Sequence, residues 1–205
     1  MKIYGVPQSP FVRKAILVLE EKGIPYENEP LIPLPKTPEL LALNPIGKIP
    51  ILRDGDTVVP DSSVICAYLE KKHPAPALYP SDPADFAKAL FLEEYADTRL
   101  AEATLPLIFE RVVKQLLYGE TPDEARVRTV LEEGLPPALD YLETQAPDAG
   151  DSVLARFSIA DNAIGPQLAA LPAVDVAIDA RRWPRLARYQ QALIARPSFK
   201  TAMAE

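Results

Sequence analysis

A chain of 205 residues, 48% hydrophobic, is long enough to bury a core and fits one large domain or two small ones. It has no apolar run of bilayer length and no signal-peptide core at "MKIYGVPQSP", so a soluble cytoplasmic protein is expected, with no membrane partner. A net charge of −7 argues against nucleic acid, and a single cysteine (Cys66) and a single histidine (His73) leave no intramolecular disulfide and no Cys/His metal site, so no metal is expected.

In chain order, the pattern predicts a strand at "KIYGV", then a helix from Pro10 to Lys22 with Gly23 as its stop. Val12, Ala15, Ile16 and Leu19 fall on one face of that helix, as packing on a sheet requires. A strand "YENEPLI", an irregular proline-rich connection, strands "PILRD" and "TVVP" around the turn "DGD", and a helix from Ser62 to Lys72 complete a βαβ then ββα order. Cys66 reads as a buried small hydrophobe in that last helix, and His73 as its exposed end. "HPAPALYPSDPAD" reads as a linker, and beyond it the periodicity is helical throughout. The expected division is 1–76 as an α/β domain, 77–86 as linker and 87–205 as an all-α domain.

Two start signals stand out in the helical region. "TPDE" at Thr121 to Glu124 reads as a capping box with proline at the first helical position, and "SIAD" at Ser158 to Asp161 places an acid where a capping box wants one. Residues 1–80 hold 9 Lys+Arg and 9 Asp+Glu, so the 13 against 20 of the remainder carry the net charge. The basic run "DARRWPRLARYQQALIARP" has apolar residues at helical spacing and reads as the solvated face of a C-terminal helix.

Several residues offer chemistry. Ser9 precedes Pro10 at a helix start: it is either an ordinary N-cap or a hydroxyl placed where backbone N–H groups and the helix dipole favour an anion. Pro50 opens a strand; a cis Ile49–Pro50 bond would turn the Ile49 backbone outward, free to pair with a peptide-like ligand. "PDSS" starts another helix, where Asp61 and Ser62 serve either as caps or as a site for both charges of an amino acid. Lys36 and Lys48 flank the proline-rich connection, as surface lysines or as partners for a carboxylate.

Together "SPFVRKAILVLEEKGIPYE", "LALNPIGKIPIL", "VVPDSSVICAYLE", "SIADNAIG" and "ARPSF" resemble the cytosolic glutathione transferases over essentially the whole chain. The resemblance implies an α/β thioredoxin-like N-terminal domain plus an all-α C-terminal domain. It implies Ser9 as the catalytic hydroxyl, and Ile49 before a cis Pro50 as the partner of glutathione's cysteinyl part. It implies Asp61 and Ser62 as the γ-glutamyl site, Lys36 and Lys48 near the glycine carboxylate, and Phe11 and Val12 bordering the hydrophobic-substrate site, with Phe11 also beside glutathione. It further implies a homodimer in which Asp97 reaches the γ-glutamyl amine of the neighbouring subunit.

Glutathione is then the co-substrate. Its thiol is activated as thiolate for attack on a small hydrophobic electrophile, in the manner of detoxification, or on a peroxide. "SPF" is similar to the Cys-Pro-Phe of omega-type members with serine in place of cysteine, so the mixed-disulfide step of a thiol reductase lacks its sulfur. Tyr4, in the first strand, is the rival hydroxyl. A glutathione-dependent isomerase of the maleylacetoacetate type and a non-catalytic glutathione-binding or regulatory member of the fold are the alternative functions.

Overall fold

The computed structural model describes residues 1–203. The chain divides into two compact units, Met1–Pro80 with the segment from Ala195, and Ser81–Ile194.

The first unit is built on a four-stranded sheet of order β2-β1-β3-β4. β1 (Lys2–Tyr4) runs parallel to β2 (Glu27–Glu29) and antiparallel to β3 (Ile51–Asp54), which pairs antiparallel with β4 (Thr57–Pro60). The parallel pair is joined by helix α1 (Pro10–Glu21), the crossover that two parallel strands need. The α1 face expected to be apolar is buried: Val12, Ala15 and Leu19 are fully excluded from solvent and Ile16 nearly so. Fully burying one such aliphatic side chain is worth about 1.5–3 kcal/mol.

α1 stops in a Schellman motif. Gly23 adopts φ +62°, its N–H reaches the Glu20 carbonyl at 3.0 Å, and Ile24 N–H reaches Leu19 at 2.9 Å. Glycine takes this left-handed position without a Cβ penalty. Lys22, buried just before it, donates to the carbonyls of His73 (2.7 Å) and Pro76 (2.8 Å) and pairs with Glu70 at 2.7 Å. The end of α1 is thereby tied to the end of α3 (Ser62–Lys72), whose bounds are those expected.

The strands are shorter than their sequence patterns. β1 stops before Gly5, and β2 is held between Tyr26 and Pro30, since proline cannot donate to a ladder. The proline-rich connection is not wholly irregular: α2 (Pro38–Leu43) forms there, with Thr37 Oγ1 accepting the Leu40 N–H at 3.2 Å. Thr-Pro-Glu is a legible helix start, hidden by the surrounding prolines. His73 is half-buried rather than exposed, and Cys66 is fully buried.

The second unit is helical. α4 (Pro83–Tyr95), α5 (Ala101–Ile108) and α6 (Lys114–Tyr118) follow one another through π-helical turns at Ala96–Leu100 and Phe109–Val113. Because α4 starts at Pro83 on the Asp82 cap, the last four residues of the expected 77–86 linker are helical. α7 (Glu124–Thr129) leads through a π-helical turn at Val130–Gly134 into α8 (Leu135–Gln145). Its cap is Asp123, whose Oδ1 accepts from Ala125 and Arg126 (both 3.1 Å), so the capping box expected at Thr121 is displaced by two residues. The physical reason lies in α5's continuation: buried Glu110 accepts the Asp123 N–H at 2.9 Å and fixes the cap there.

All twelve residues of α9 (Ile159–Ala170) are buried. Asp161 reaches back to the Ser158 N–H at 2.9 Å, as "SIAD" predicts. The basic run begins before α10 (Pro184–Ala195), where Arg182 pairs with Asp140, and continues along it, where Arg185 pairs with Asp148 while Leu186, Tyr189 and Leu193 are buried. α11 (Pro197–Met203) returns to the first unit, outside the 87–205 division expected. There Arg196 grips Glu21 of α1 with both carboxylate oxygens, at 2.9 and 2.8 Å. Guanidinium and carboxylate match as a two-pronged pair, which explains why this short C-terminal helix packs on α1.

Candidate functional site

Strand register gathers the candidate residues. Tyr4 pairs with Ile51, and Ile51 pairs with Pro60, so three chain segments meet at one end of the sheet. They are the loop from Gly5 to Ser9 after β1, the Ile49–Pro50 step before β3, and Asp61 after β4. Glu29 of β2 pairs with Tyr4 at that same end, and the chain leaves it toward Lys36.

Ser9 is half-buried at the start of α1, in extended conformation (φ −78°, ψ 122°), and its side chain makes no capping hydrogen bond. Its backbone is committed, with N–H to Val6 and carbonyl to Arg13, each 3.0 Å. Thr37, Asp61, Asp82 and Asp123 behave differently: each uses its side chain to accept backbone N–H groups. The Ser9 hydroxyl is therefore not spent on its helix. Tyr4 is half-buried in β1, at the strand's last residue.

The Ile49–Pro50 peptide bond is cis. Among the described residues, none of the turn, loop and cap hydrogen bonds uses the Ile49 N–H or carbonyl. Pro50 is buried and Ile49 half-buried, its Cβ 3.5 Å from where a Gly5 side chain would begin. At that same position a Cβ would lie 2.4 Å from Val12 Cγ2, so Gly5 is required by close approach. This corrects the reading of Val12. Its side chain is fully buried behind the loop and cannot face a second substrate; Phe11, half-buried, keeps an accessible surface.

Asp61 holds φ +76°, ψ 136°, a region that non-glycine residues occupy at a cost of about 1–3 kcal/mol. Its Oδ1 accepts the N–H groups of Ser63 (2.9 Å) and Val64 (3.2 Å), and Ser62 beside it is buried. Such strain is kept where the surroundings over-determine it, and ligand sites are where it gathers. Lys14 of α1, also buried, donates to Ser63 Oγ at 2.8 Å and so ties the start of α3 to α1. The sequence signal of that lysine is a cation directly before the apolar run "AILVL".

The two lysines separate. Lys36 Nζ donates to the Ile46 carbonyl at 2.9 Å, folding the connection back over the "NPIGK" turn. Lys48 is exposed, and among the described residues its ammonium has no ion pair. Asp97 lies in the second unit, half-buried on the π-helical turn after α4. Among the described residues no group of histidine, cysteine, aspartate or glutamate could hold a metal ion, and no helix is long and apolar enough to cross a membrane.

Residues 3–77 match the glutathione S-transferase N-terminal domain family. Glutathione S-transferase 3 of Zea mays is 35% identical over 214 residues, spanning 100% of this chain and 93% of that protein. Maleylacetoacetate isomerase of Pseudomonas aeruginosa is 31% identical over 209 residues, 98% and 95% of the two chains. Among solved structures, a glutathione S-transferase from Rhodospirillum rubrum F11 superposes with a TM-score of 0.90 at 25% identity, covering 100% of this chain and 92% of that one.

Proposed function

The chain belongs to the glutathione S-transferase family, and on that premise we propose that it activates the thiol of glutathione at Ser9 and transfers it to a small hydrophobic electrophile. The observation that carries this reading is the unspent Ser9 hydroxyl at the start of α1. A cysteine-like thiol has a pKa near about 8.5, so only a few per cent is ionised at neutral pH. A hydrogen bond to the charged sulfur is worth about 1.5–3 kcal/mol, and about 1.36 kcal/mol is one pKa unit. With the helix dipole, this lowers the bound thiol by about one to two units and makes roughly half of it nucleophilic.

The rest of glutathione follows the register of the sheet. Asp61 and Ser62 take the γ-glutamyl charges, the Ile49 backbone pairs with the cysteinyl part, and Lys36 and Lys48 face the glycine carboxylate. Phe11 borders the second substrate. The enzyme acts as a cytoplasmic homodimer, with Asp97 reaching the neighbour's γ-glutamyl amine. In support, α4 exposes Phe86, Leu90 and Phe91 together, an apolar surface of the kind that symmetric dimers cover. Sedimentation that finds only monomer at micromolar concentration removes the dimer.

A panel of electrophiles, hydroperoxides and disulfides assayed with glutathione tests the activity. Turnover of an electrophile or hydroperoxide that falls in Ser9→Ala while glutathione binding persists is the expected result; turnover unaffected by that change refutes the assignment. The similarity to the Pseudomonas aeruginosa isomerase favours a second reading, in which the thiolate adds to a maleyl-type diacid and leaves again. Isomerisation without consumption of glutathione identifies it.

A further inference from the structure

One charged group near the start of α1 has no part in the proposed thiol chemistry. Arg13 lies four residues after Ser9, one turn further along the helix and on nearly the same face, with its Cα about 6 Å away by helical rise. Its Nε is shielded from solvent and has no hydrogen-bond partner among the described residues. The helix supplies no counter-ion, because the positions three and four residues away are Pro10, Ser9, Ile16 and Leu17. The nearest acids of α1 are occupied: Glu20 accepts from Tyr26 and Glu21 holds Arg196. Burial accordingly lowers the guanidinium's pKa from its ordinary value, with no opposing charge.

A guanidinium presents a planar fork suited to a carboxylate, and leaving its Nε desolvated without a partner is costly unless a ligand completes it. In the proposed binding mode glutathione's own charges are matched by Asp61, Ser62, Lys36 and Lys48. We infer that Arg13 is a specificity residue for the second substrate, selecting electrophiles that carry a carboxylate on the ring that bears the reacting centre. The inference rests on the placement of the thiolate at Ser9.

The test uses a matched pair, 4-chloro-3-nitrobenzoate and 4-chloro-3-nitrobenzamide, with glutathione and the full chain. In each, the thiolate sulfur forms a bond to the ring carbon and the carbon–chlorine bond breaks, its electron pair leaving with chloride; the thiol proton goes to solvent. With kcat/KM normalised to the uncatalysed rates, the benzoate-to-benzamide ratio should fall about 10- to 100-fold in Arg13→Gln, the worth of one charged hydrogen-bonded pair. Arg13→Lys should lie between, keeping the charge without the fork, and it carries the test if Arg13→Gln does not fold. An unchanged ratio in the variant that folds overturns the inference while leaving the transferase reading in place. An equal loss on both compounds with a raised pKa of bound glutathione also overturns it, since Arg13 then acts on the thiolate. Wild type that turns over neither compound while conjugating another electrophile of the panel overturns the inference alone; wild type that turns over nothing in the panel overturns both.

Discussion

Ser9 and Ser158 occupy the same position in two helices, the residue before the first turn, and the fold uses them in opposite ways. Ser158 is buried at the start of the wholly buried α9, where its N–H and hydroxyl both donate to Asp161 Oδ2, at 2.9 and 3.0 Å. The other oxygen of Asp161 accepts from Val153 N–H and Tyr189 hydroxyl, so that one carboxylate binds a loop, a cap and α10 together. Ser9 sits on a half-exposed loop end with a side chain that serves no cap. A serine whose neighbours consume its hydroxyl supports folding; one whose neighbours do not is available to a ligand.

The contrast can be broken most sharply at its structural pole. Asp161→Ala strands three buried donors, the Ser158 N–H and hydroxyl and the Tyr189 hydroxyl, each costing about 1–3 kcal/mol, so the protein should lose at least about 3 kcal/mol in chemical denaturation. A loss under about 1 kcal/mol would show that Ser158 is no more committed than Ser9. Next in size, Asp61→Ala or Ser62→Ala should each weaken glutathione by about 1–3 kcal/mol in calorimetric titration. Unchanged affinity in both removes the γ-glutamyl site from the start of α3.

Ser9→Ala tests the other pole. It should retain glutathione yet lose about ten- to a hundredfold in conjugation rate at neutral pH, with stability changed by less than about 0.5 kcal/mol because no cap bond is lost. If stability instead falls by about 1 kcal/mol while turnover holds, Ser9 is an ordinary cap and Tyr4 or the bare helix N-terminus activates the thiol. Ser9→Cys should add thiol-reductase activity, since a cysteine at a helix N-terminus has a lowered pKa and can form a mixed disulfide with glutathione.

The smallest effect is at a third helix start, where Glu110 accepts the Asp123 N–H and pairs with Lys114. These contacts, the backbone bond first, hold its carboxyl below the ordinary carboxylate range. With the folded pKa below the unfolded one, the stabilisation is present above the unfolded value and is lost as pH falls through the folded value. The urea midpoints of wild type and Glu110→Gln should therefore converge on acidification through that window. Parallel curves would mean that the cap of α7 does not depend on the charge.

Where a signal depended on neighbours along the chain, the sequence carried it. The bounds of α3, the buried face of α1, the Gly23 stop and the Asp161 box were all legible, because helical spacing and capping act within four or five residues. The two-residue displacement of the α7 cap was not, since Glu110 lies thirteen residues from Asp123. Nor was the burial of Val12 behind Gly5 rather than beside a substrate, because a helical pattern says that a face is covered without saying by what.

What the sequence by itself determined is the order of elements and the residue types at each helix start, including a Ser-Pro at α1 and an Asp-Ser at α3. Only the tertiary structure decided which of those polar groups remain free. The register Tyr4 to Ile51 to Pro60 brings Ser9, Ile49 and Asp61 to one end of the sheet. The packing of α1 buries Lys14 against Ser63 but leaves Arg13 without a counter-ion among the described residues. A hydrogen bond is consumed or spared by whichever group the fold brings within about 3 Å, and that distance is set by strands and helices far apart in the chain.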